Sequence, residues 1–362
     1  MAGRYREGTV CYEKDRGKYR AYVWVDGRKY TKRFSERDDA LAWVQKMRLA
    51  AHDGLFVAPS ALSLGEWLVK YLETYKKPTV KPTTYERYLF TSRKALPIAS
   101  IPIQKLTALD VQQLYNSLTP DGAKKLHVLL HSAMEKAVAL DMVRRNVVAM
   151  AKPPRVVRKE KGIFSADELK IILHTIEKNP LFRRYYNLVL LAINTGMRRG
   201  ELLGLRWRDV DFQRHTVTIA QQVQQLSDGT VILDTPKTEA GRRKISIPMN
   251  VSLALQRVKD GLREIDISQN MLVFRNGSGH PIRPEAIEKM WKQVLQESGL
   301  PYRSFHCLRH THATLLLANG IPIIEVSRRL GHSSVKQTLD MYGHAIPNYD
   351  QEIAKKISMI YG

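Results

Sequence analysis

The stretch SFHCLRHTHATLL, residues 304–316, places three histidines and a cysteine within seven positions, His306 to His312. On a helix, His306 and His310 share one face, which is how zinc-binding helices present two imidazoles. Arg309 stands among them, however, and no Asp or Glu occurs between Leu300 and Ile324. A dication beside a guanidinium, with no carboxylate to offset either, is disfavoured. An anion suits the same groups well. The stretch therefore reads first as a phosphate site, with zinc as the lesser alternative, and the rest of the chain has to carry that reading.

The chain has 362 residues, enough for two or three domains with real cores. Its 58 Lys and Arg outnumber 35 Asp and Glu, for a formal charge of +23. That excess implies a polyanionic partner, a nucleic acid or an anionic membrane surface. It is spread along the chain: 13 basic against 8 acidic residues in 1–58, 14 against 7 in 59–152, and the remaining 31 against 20 beyond. A basic tail would tether; basic segments throughout suit a protein that lies along its partner. No apolar run approaches the roughly 18–20 residues of a membrane span. The opening MAGRYREG leads into polar sequence, so no secretory signal is expected. Cys11 and Cys307 are the only cysteines, which fits a reducing cytoplasm and gives no disulfide framework.

Residues 8–34 read as strands. YRAYVWV (19–25) and RKYTKRF (28–34) flank Asp26-Gly27, a two-residue hairpin signal, and Ser35 to Asp38 offer a cap and acidic first turn for the helix DDALAWVQKMRLAA. Arg20, Tyr22 and Trp24 share one strand face, where Trp24 suits a small core at least as well as a partner. Residues 60–150 read as four or so amphipathic helices, ending in GAKKLHVLLHSAMEKAVALDMV. Lys81, Arg87 and Lys124 cluster with Lys77 and Lys125 near helix starts, as a solvated face or as phosphate contacts. AKPPRVVRKEKG (151–162) is the clearest linker. Beyond it, FSADELKIILHTIEKN and YYNLVLLAIN read as helices, TVTIAQQVQQL, TVILDTP and RRKISIP as strands, and Leu- and Ile-rich helices run to the end.

Four stretches of this last region carry reactive groups: TGMRRGELLGLRW (195–207), TPKTEAGRRKISIP (235–248), the opening HCLRH, and LGHSSVKQTLDMYGH (330–344). Each is unremarkable alone. Together Arg198, Lys237, His306, Arg309, His332 and Tyr342 supply what phosphodiester cleavage needs. Two guanidiniums grip non-bridging oxygens and stabilise transition-state charge. A lysine protonates the departing 5′ oxygen, and a histidine helps take the phenol proton. A tyrosine becomes a useful nucleophile when cations lower its pKa of about 10. No Asp/Glu cluster suggests a two-metal route, and a covalent tyrosine route needs neither metal nor other cofactor.

At these residues the chain resembles the tyrosine recombinases of the phage and conjugative-transposon integrase type, over nearly its whole length. TGMRRGE is similar to the family's first arginine motif, with Arg198 and, in the supporting acidic position, Glu201. Pro236-Lys237-Thr238 is similar to the hairpin lysine, His306-x-x-Arg309 to the second box, Leu330-Gly331-His332 to the third, and Tyr342 ends the set. Cys307 stands where many relatives have an acid, and Val147 follows Asn146 where many have Pro, which shifts the expected helix end. The resemblance implies a multidomain α+β chain. Residues 1–58 are an arm-DNA-binding-like domain of a three-stranded sheet and a helix. Residues 59–152 are an all-helical, SAM-like core-binding domain. A linker at 153–163 leads to a mixed, mainly helical catalytic domain at 164–348, and 349–362 form a tail that packs on a neighbouring protomer, as in relatives, or on the chain's own domain. It implies double-stranded DNA attachment sites, a homotetramer on DNA and accessory excision or host DNA-bending proteins, with no membrane and a bacterial cytoplasmic, nucleoid-associated location. Alternation alone adds Arg20, Tyr22, Arg28 and Lys32 as DNA-contact candidates. His310 and His312 are expected to be structural.

Two other readings fit part of the pattern. IPIIEVSRRLGHSSVKQTLDMYG has the cadence of a helix-turn-helix, so a non-catalytic regulator accounts for the charge but leaves Arg198, Lys237 and the HxxR box without a role. A type IB topoisomerase shares the tyrosine chemistry but not the arm-like first segment.

Overall fold

The computed structural model describes residues 9–25, 27–53, 56–58, 60–156, 162–235, 239–262, 268, 270–343 and 350–361. The chain forms two compact units, divided between Val157 and Arg158.

The first unit opens with an antiparallel sheet of β1 (Thr9–Glu13), β2 (Lys18–Val25) and β3 (Arg28–Phe34), followed by α1 (Arg37–His52). Gly17 and Gly27, at φ +60° and +75°, make the turns. Ala21, Val23 and Val25 point to α1, and Ala40, Val44 and Ala51 meet them. Arg20, Tyr22 and Trp24 take the opposite face by the strand period, so Trp24 lies outside that core. Register pairs Arg28 with Val25 and Lys32 with Ala21. Those two bases therefore start from the α1 side, and the four arm candidates occupy both faces of the sheet. The helix begins one residue later than the Ser35 cap suggested: Glu36 is the cap residue and contributes no side-chain cap bond.

Helices α2 (Leu64–Tyr71), α3 (Pro82–Ser92), α4 (Ala108–Asn116) and α5 (Pro120–Ala139) follow. Ser63 with Glu66 and Thr107 with Asp110 form capping boxes, each satisfying otherwise orphaned backbone N–H groups. Leu64, Trp67, Leu68, Val111, Leu126 and Met134 build a second core, where the Trp67 indole donates to the Ala133 carbonyl at 3.0 Å. The last helix stops at Ala139, short of the expected end, and Asp141 turns the chain at φ +54°. Asn146 then accepts from the Val148 N–H and donates to the His131 carbonyl and Glu135.

The second unit contains α6 (Ala166–Lys178), α7 (Tyr186–Thr195), α8 (Arg199–Leu203), β4 (Val210–Asp211), β5 (Thr216–Ile219), β6 (Gln222–Gln225), β7 (Val231–Asp234), β8 (Arg243–Ser246), α9 (Met249–Asp260), α10 (Pro284–Glu297), α11 (Cys307–Ala318), α12 (Ile323–Leu330), α13 (Val335–Tyr342) and α14 (Asp350–Tyr361). Trp291 centres its core, edge-to-face with Phe164 and Phe305. The expected single strand TVTIAQQVQQL is broken at Ala220-Gln221, because β5 joins β4 and β8 while β6 pairs with β7. Gly200 explains how β6 lies against α8. A Cβ there would sit 2.5 Å from the Val223 carbonyl oxygen, so only glycine admits the approach.

Candidate active site

Four breaks in secondary structure bring the reactive groups together. Helix α7 ends at Gly196, left-handed at φ +62°, and the chain turns so that Arg198 caps α8. The Arg198 N–H donates to Glu201 at 2.9 Å, and its guanidinium returns to the same carboxylate at 2.8 Å. Arg243, on β8, grips Glu201 with both terminal nitrogens, at 3.2 and 2.8 Å, and donates from Nε to the Arg329 carbonyl at 2.7 Å. Burial would raise the Glu201 carboxyl, but Arg243 and then Arg198 hold it below the usual carboxylate range.

Arg309 comes from the first turn of α11. Its guanidinium donates to the Gly196 and Leu330 carbonyls at 2.9 and 2.8 Å. It is 3% exposed, and its pKa is brought down to about 9, by burial first and the Arg198 charge second. Among the described residues its hydrogen bonds reach carbonyls and no carboxylate. Arg198 and Arg243 thus share the one carboxylate while Arg309 has none, which leaves an excess of positive charge at the site. That excess suits a phosphate.

Helix α12 ends at Gly331, again left-handed at φ +67°, where a Cβ would sit 2.7 Å from the Arg243 guanidinium. The turn puts His332 inside, with Nδ1 2.7 Å from Thr338 Oγ1. Burial, then the charges of Arg309, Arg198 and Arg243, lower its pKa to about 4, so it is neutral at pH 7. The His332 ring lies parallel to the Tyr342 ring, 6.5 Å between centroids. Tyr342, at the end of α13, is 3% exposed. Burial raises its phenol pKa, and the Arg309 and Arg198 charges oppose that rise.

The structure therefore gathers Arg198, Glu201, Arg309, His332 and Tyr342. Lys237 lies outside the described residues, between the end of β7 and the start of β8. His306 is exposed at the mouth of α11. The Tyr342 hydroxyl is 2.7 Å from Nδ1 of His310, a residue the sequence reading set aside. Its signal was present: His310 is one helical turn beyond His306 and shares its face. His312 is a buttress, with Nδ1 2.9 Å from the Ile193 carbonyl and Nε2 accepting from Arg329 at 3.0 Å. Sequence reasoning also passed over Arg243, which sits in a basic run that looks like surface. Lys81 is half-buried as the cap residue of α3, while Arg87 and Lys124 are exposed. Among the described residues no cluster of three or more His, Cys, Asp or Glu is arranged to hold a metal ion.

Paired arginines on a buried carboxylate, beside a buried tyrosine and a neutral histidine, are the equipment of a tyrosine recombinase, an enzyme that exchanges DNA strands. The comparisons agree. Residues 163–348 match the pattern of the Phage integrase family, and residues 63–119 match the phage integrase N-terminal SAM-like domain. The chain belongs to the phage integrase family. It is 27% identical over 340 residues to a tyrosine recombinase XerC-like protein of Caldanaerobacter subterraneus, covering 85% of this chain and 86% of that one. It is 27% identical to the ICEBs1 integrase of Bacillus subtilis, covering 89% and 90%. In structure it is similar to the Tn1549 transposon integrase in complex with a circular intermediate DNA, with a TM-score of 0.70 at 20% identity over 82% of this chain and 99% of that one. It is also similar to a lambda integrase tetramer bound to a Holliday junction, with a TM-score of 0.58 at 19% identity over 95% and 97%. The protein is a site-specific recombinase of mobile-element DNA.

Proposed function

We propose that Tyr342 attacks a DNA phosphate, forming a 3′-phosphotyrosyl link and freeing a 5′ hydroxyl. Arg198 and Arg309 stabilise the charge that builds on the pentacoordinate phosphate. Lys237 protonates the leaving 5′ oxygen, His306 assists removal of the tyrosine proton, and neutral His332 donates a hydrogen bond to phosphate. The 5′ hydroxyl of a partner duplex reverses the step, which needs neither metal nor ATP. The observation that carries this reading is that buried Tyr342 lies within reach of the Arg309 and Arg198 charges, whose guanidiniums meet at the neighbouring Leu330 and Gly331 carbonyls. The regulator reading gives that meeting no purpose.

Residues 1–58 serve as an arm-DNA-binding domain, 59–152 as the core-binding domain, 153–163 as the linker and 164–348 as the catalytic domain. Arg20, Tyr22, Arg28, Lys32, Lys81, Arg87 and Lys124 contribute DNA contacts. Four protomers act in turn on two duplexes, and residues 349–362 pack on a neighbouring protomer. The lambda integrase tetramer on a Holliday junction supports that assembly. No described helix is long and apolar enough to cross a membrane. The bacterial cytoplasm, at the nucleoid, is the location this proposal carries, because its DNA substrate is there.

Covalent trapping tests the reading. Nicked duplexes tiled across the DNA flanking the gene are incubated without metal or ATP and resolved on a denaturing gel. An adduct from wild type that maps to Tyr342 and vanishes in Tyr342→Phe is expected. Tight binding with no adduct on any bound duplex would move the assignment to a non-catalytic binder.

A further inference from the structure

The phenol that forms the covalent link is bonded to a residue with no assigned role. His310 Nδ1 lies 2.7 Å from the Tyr342 hydroxyl, and both residues are buried, at 6% and 3% exposure. No other hydrogen bond to that hydroxyl is described. Of the other imidazoles nearby, His332 lies ring-parallel to Tyr342, with Nδ1 on Thr338. His306 is exposed and meets His310 edge-to-face, 4.8 Å between centroids. Removing a phenol proton in a dry pocket needs an acceptor within hydrogen-bond reach, about 2.6–3.2 Å.

Building on the proposed tyrosine mechanism, we infer that His310 is the catalytic base of strand cleavage, accepting the Tyr342 proton at Nδ1, and that His306 acts only through it. Neutral His310 carries its proton on Nε2, so Nδ1 accepts from the phenol. As the Tyr342 oxygen bonds phosphorus, its O–H bond breaks and the proton passes to Nδ1, giving an imidazolium. The P–O5′ bond breaks in the same displacement, and the 5′ oxygen takes its proton from Lys237. The imidazolium then gives up its Nε2 proton to solvent, with the exposed His306 ring adjoining. In rejoining, the neutral ring passes its Nδ1 proton to the departing phenolate as it regains a proton at Nε2 from solvent, which restores the starting tautomer.

The charged and titratable groups facing this pair, among the described residues, are His306, Cys307 and Arg309 at the start of α11, Arg198 before α8 and His332 before α13. Two of them are cations. They disfavour an imidazolium in the empty site and favour the tyrosinate. A bound phosphate, gaining charge as it becomes pentacoordinate, offsets their effect on the imidazolium. Proton transfer is thus coupled to DNA occupancy.

The test compares His310→Asn, His310→Ala and Tyr342→Phe with wild type. It uses the nicked duplex that wild type cleaves, under single-turnover conditions from pH 6 to 9.5. Asparagine places an amide oxygen near the Nδ1 position. It can hold the hydroxyl but cannot take a proton. Both His310 variants are expected to bind the duplex as wild type does and to cleave about 100-fold more slowly or worse at pH 7. The gap should narrow as pH rises and the phenol ionises unaided, and added imidazole should accelerate His310→Ala. A near-wild-type rate for His310→Asn would overturn the inference in favour of simple positioning. Cleavage faster than wild type would overturn it in favour of a restraint on the nucleophile. An equal loss at every pH, unmoved by imidazole, would assign His310 to packing. Absence of any adduct from wild type would instead overturn the tyrosine mechanism itself, and His310's role with it.

Discussion

Arg243→Ala isolates the contribution of one ion pair. The Arg243 and Glu201 side chains are 7% and 4% exposed and joined at 2.8 Å, so solvent screens them little. Removing one partner of such a pair costs about 3–5 kcal/mol when it strands the other charge in a dry site, which is an upper bound here because Glu201 keeps Arg198 at 2.8 Å. Against a typical total of roughly 5–15 kcal/mol, that is a large loss. It corresponds to a melting temperature lower by roughly 6–20 °C for a unit of this size. The variant also frees Glu201 from its stronger partner, and Arg198 takes its position from Glu201. Loss of one preorganised donor to an oxyanion costs about 100- to 1,000-fold in rate, and cleavage should fall by that order. Urea and thermal unfolding measure the first effect. The second is read on two matched duplexes, one with a normal scissile phosphate and one with an uncharged methylphosphonate there. A neutral centre has less need of a guanidinium, so the Arg243→Ala defect, like that of Arg198→Ala, should shrink on the methylphosphonate. The double variant Arg243→Met, Glu201→Met should recover stability without recovering cleavage. Destabilisation under about 1 kcal/mol, the range of exposed pairs, or an equal defect on both duplexes, would refute the reasoning.

The buried histidines give the second unit an acid-sensitive stability. His312 has its pKa lowered from 6.5 to about 4, by burial and then by Arg329. A folded pKa below the unfolded one means that stability is fully present above pH 6.5 and is lost as pH falls towards 4, by on the order of 3 kcal/mol. His312→Gln should flatten that slope in urea titrations from pH 7.5 to 4, and an unchanged slope would count against a neutral buried His312. Lys237→Ala should cut cleavage by about 100-fold or more. A 5′-bridging sulfur, which leaves without protonation, should restore it, and failure of that rescue would remove Lys237 as the acid. Deleting residues 349–362 should impair assembly on paired sites more than binding to a single site. Equal loss in gel-shift titrations of both would place the tail on its own protomer.

Local signals were legible wherever one element settled its own structure. Ser63-Glu66, Thr107-Asp110 and Ser165-Glu168 each form the capping box their spacing allows. Strands β2 and β3 pair on either side of Gly27, as the hairpin signal implies, while Asp26 itself lies outside the described residues. Misreadings arose where distant partners decided. The strand pattern of TVTIAQQVQQL runs through Gln221 without a mark. What breaks it is the packing of β6 on Gly200 and a bond from the Gln221 amide to the Gly204 carbonyl at 2.8 Å. The helix of residues 120–139 carries helix-forming sequence beyond its end, and Asn146 draws the following chain back onto His131 and Glu135. In the site, motif spacing brought Arg198, Glu201, Arg309, His332 and Tyr342 into view. It did not bring Arg243, whose value comes from a carboxylate 42 residues away, or His310, whose partner is 32 residues away.

The histidine-rich stretch that looked at first like a metal helix works through the fate of its positive charge. His312 is made neutral by burial and then by the Arg329 charge, against the pull of the Ile193 carbonyl, and His332 is neutral by burial among arginines. Arg309 keeps its charge but meets only carbonyl oxygens, which orient a guanidinium without cancelling it. The carboxylate that could have cancelled it, Glu201, is committed to Arg198 and Arg243. A cation would have to enter a site whose one acid is already taken and whose arginines repel it. A phosphate enters a site that lacks only a negative charge. The positive charge that Glu201 leaves uncancelled at Arg309 is therefore the feature on which the proposed stabilisation of a pentacoordinate phosphate rests.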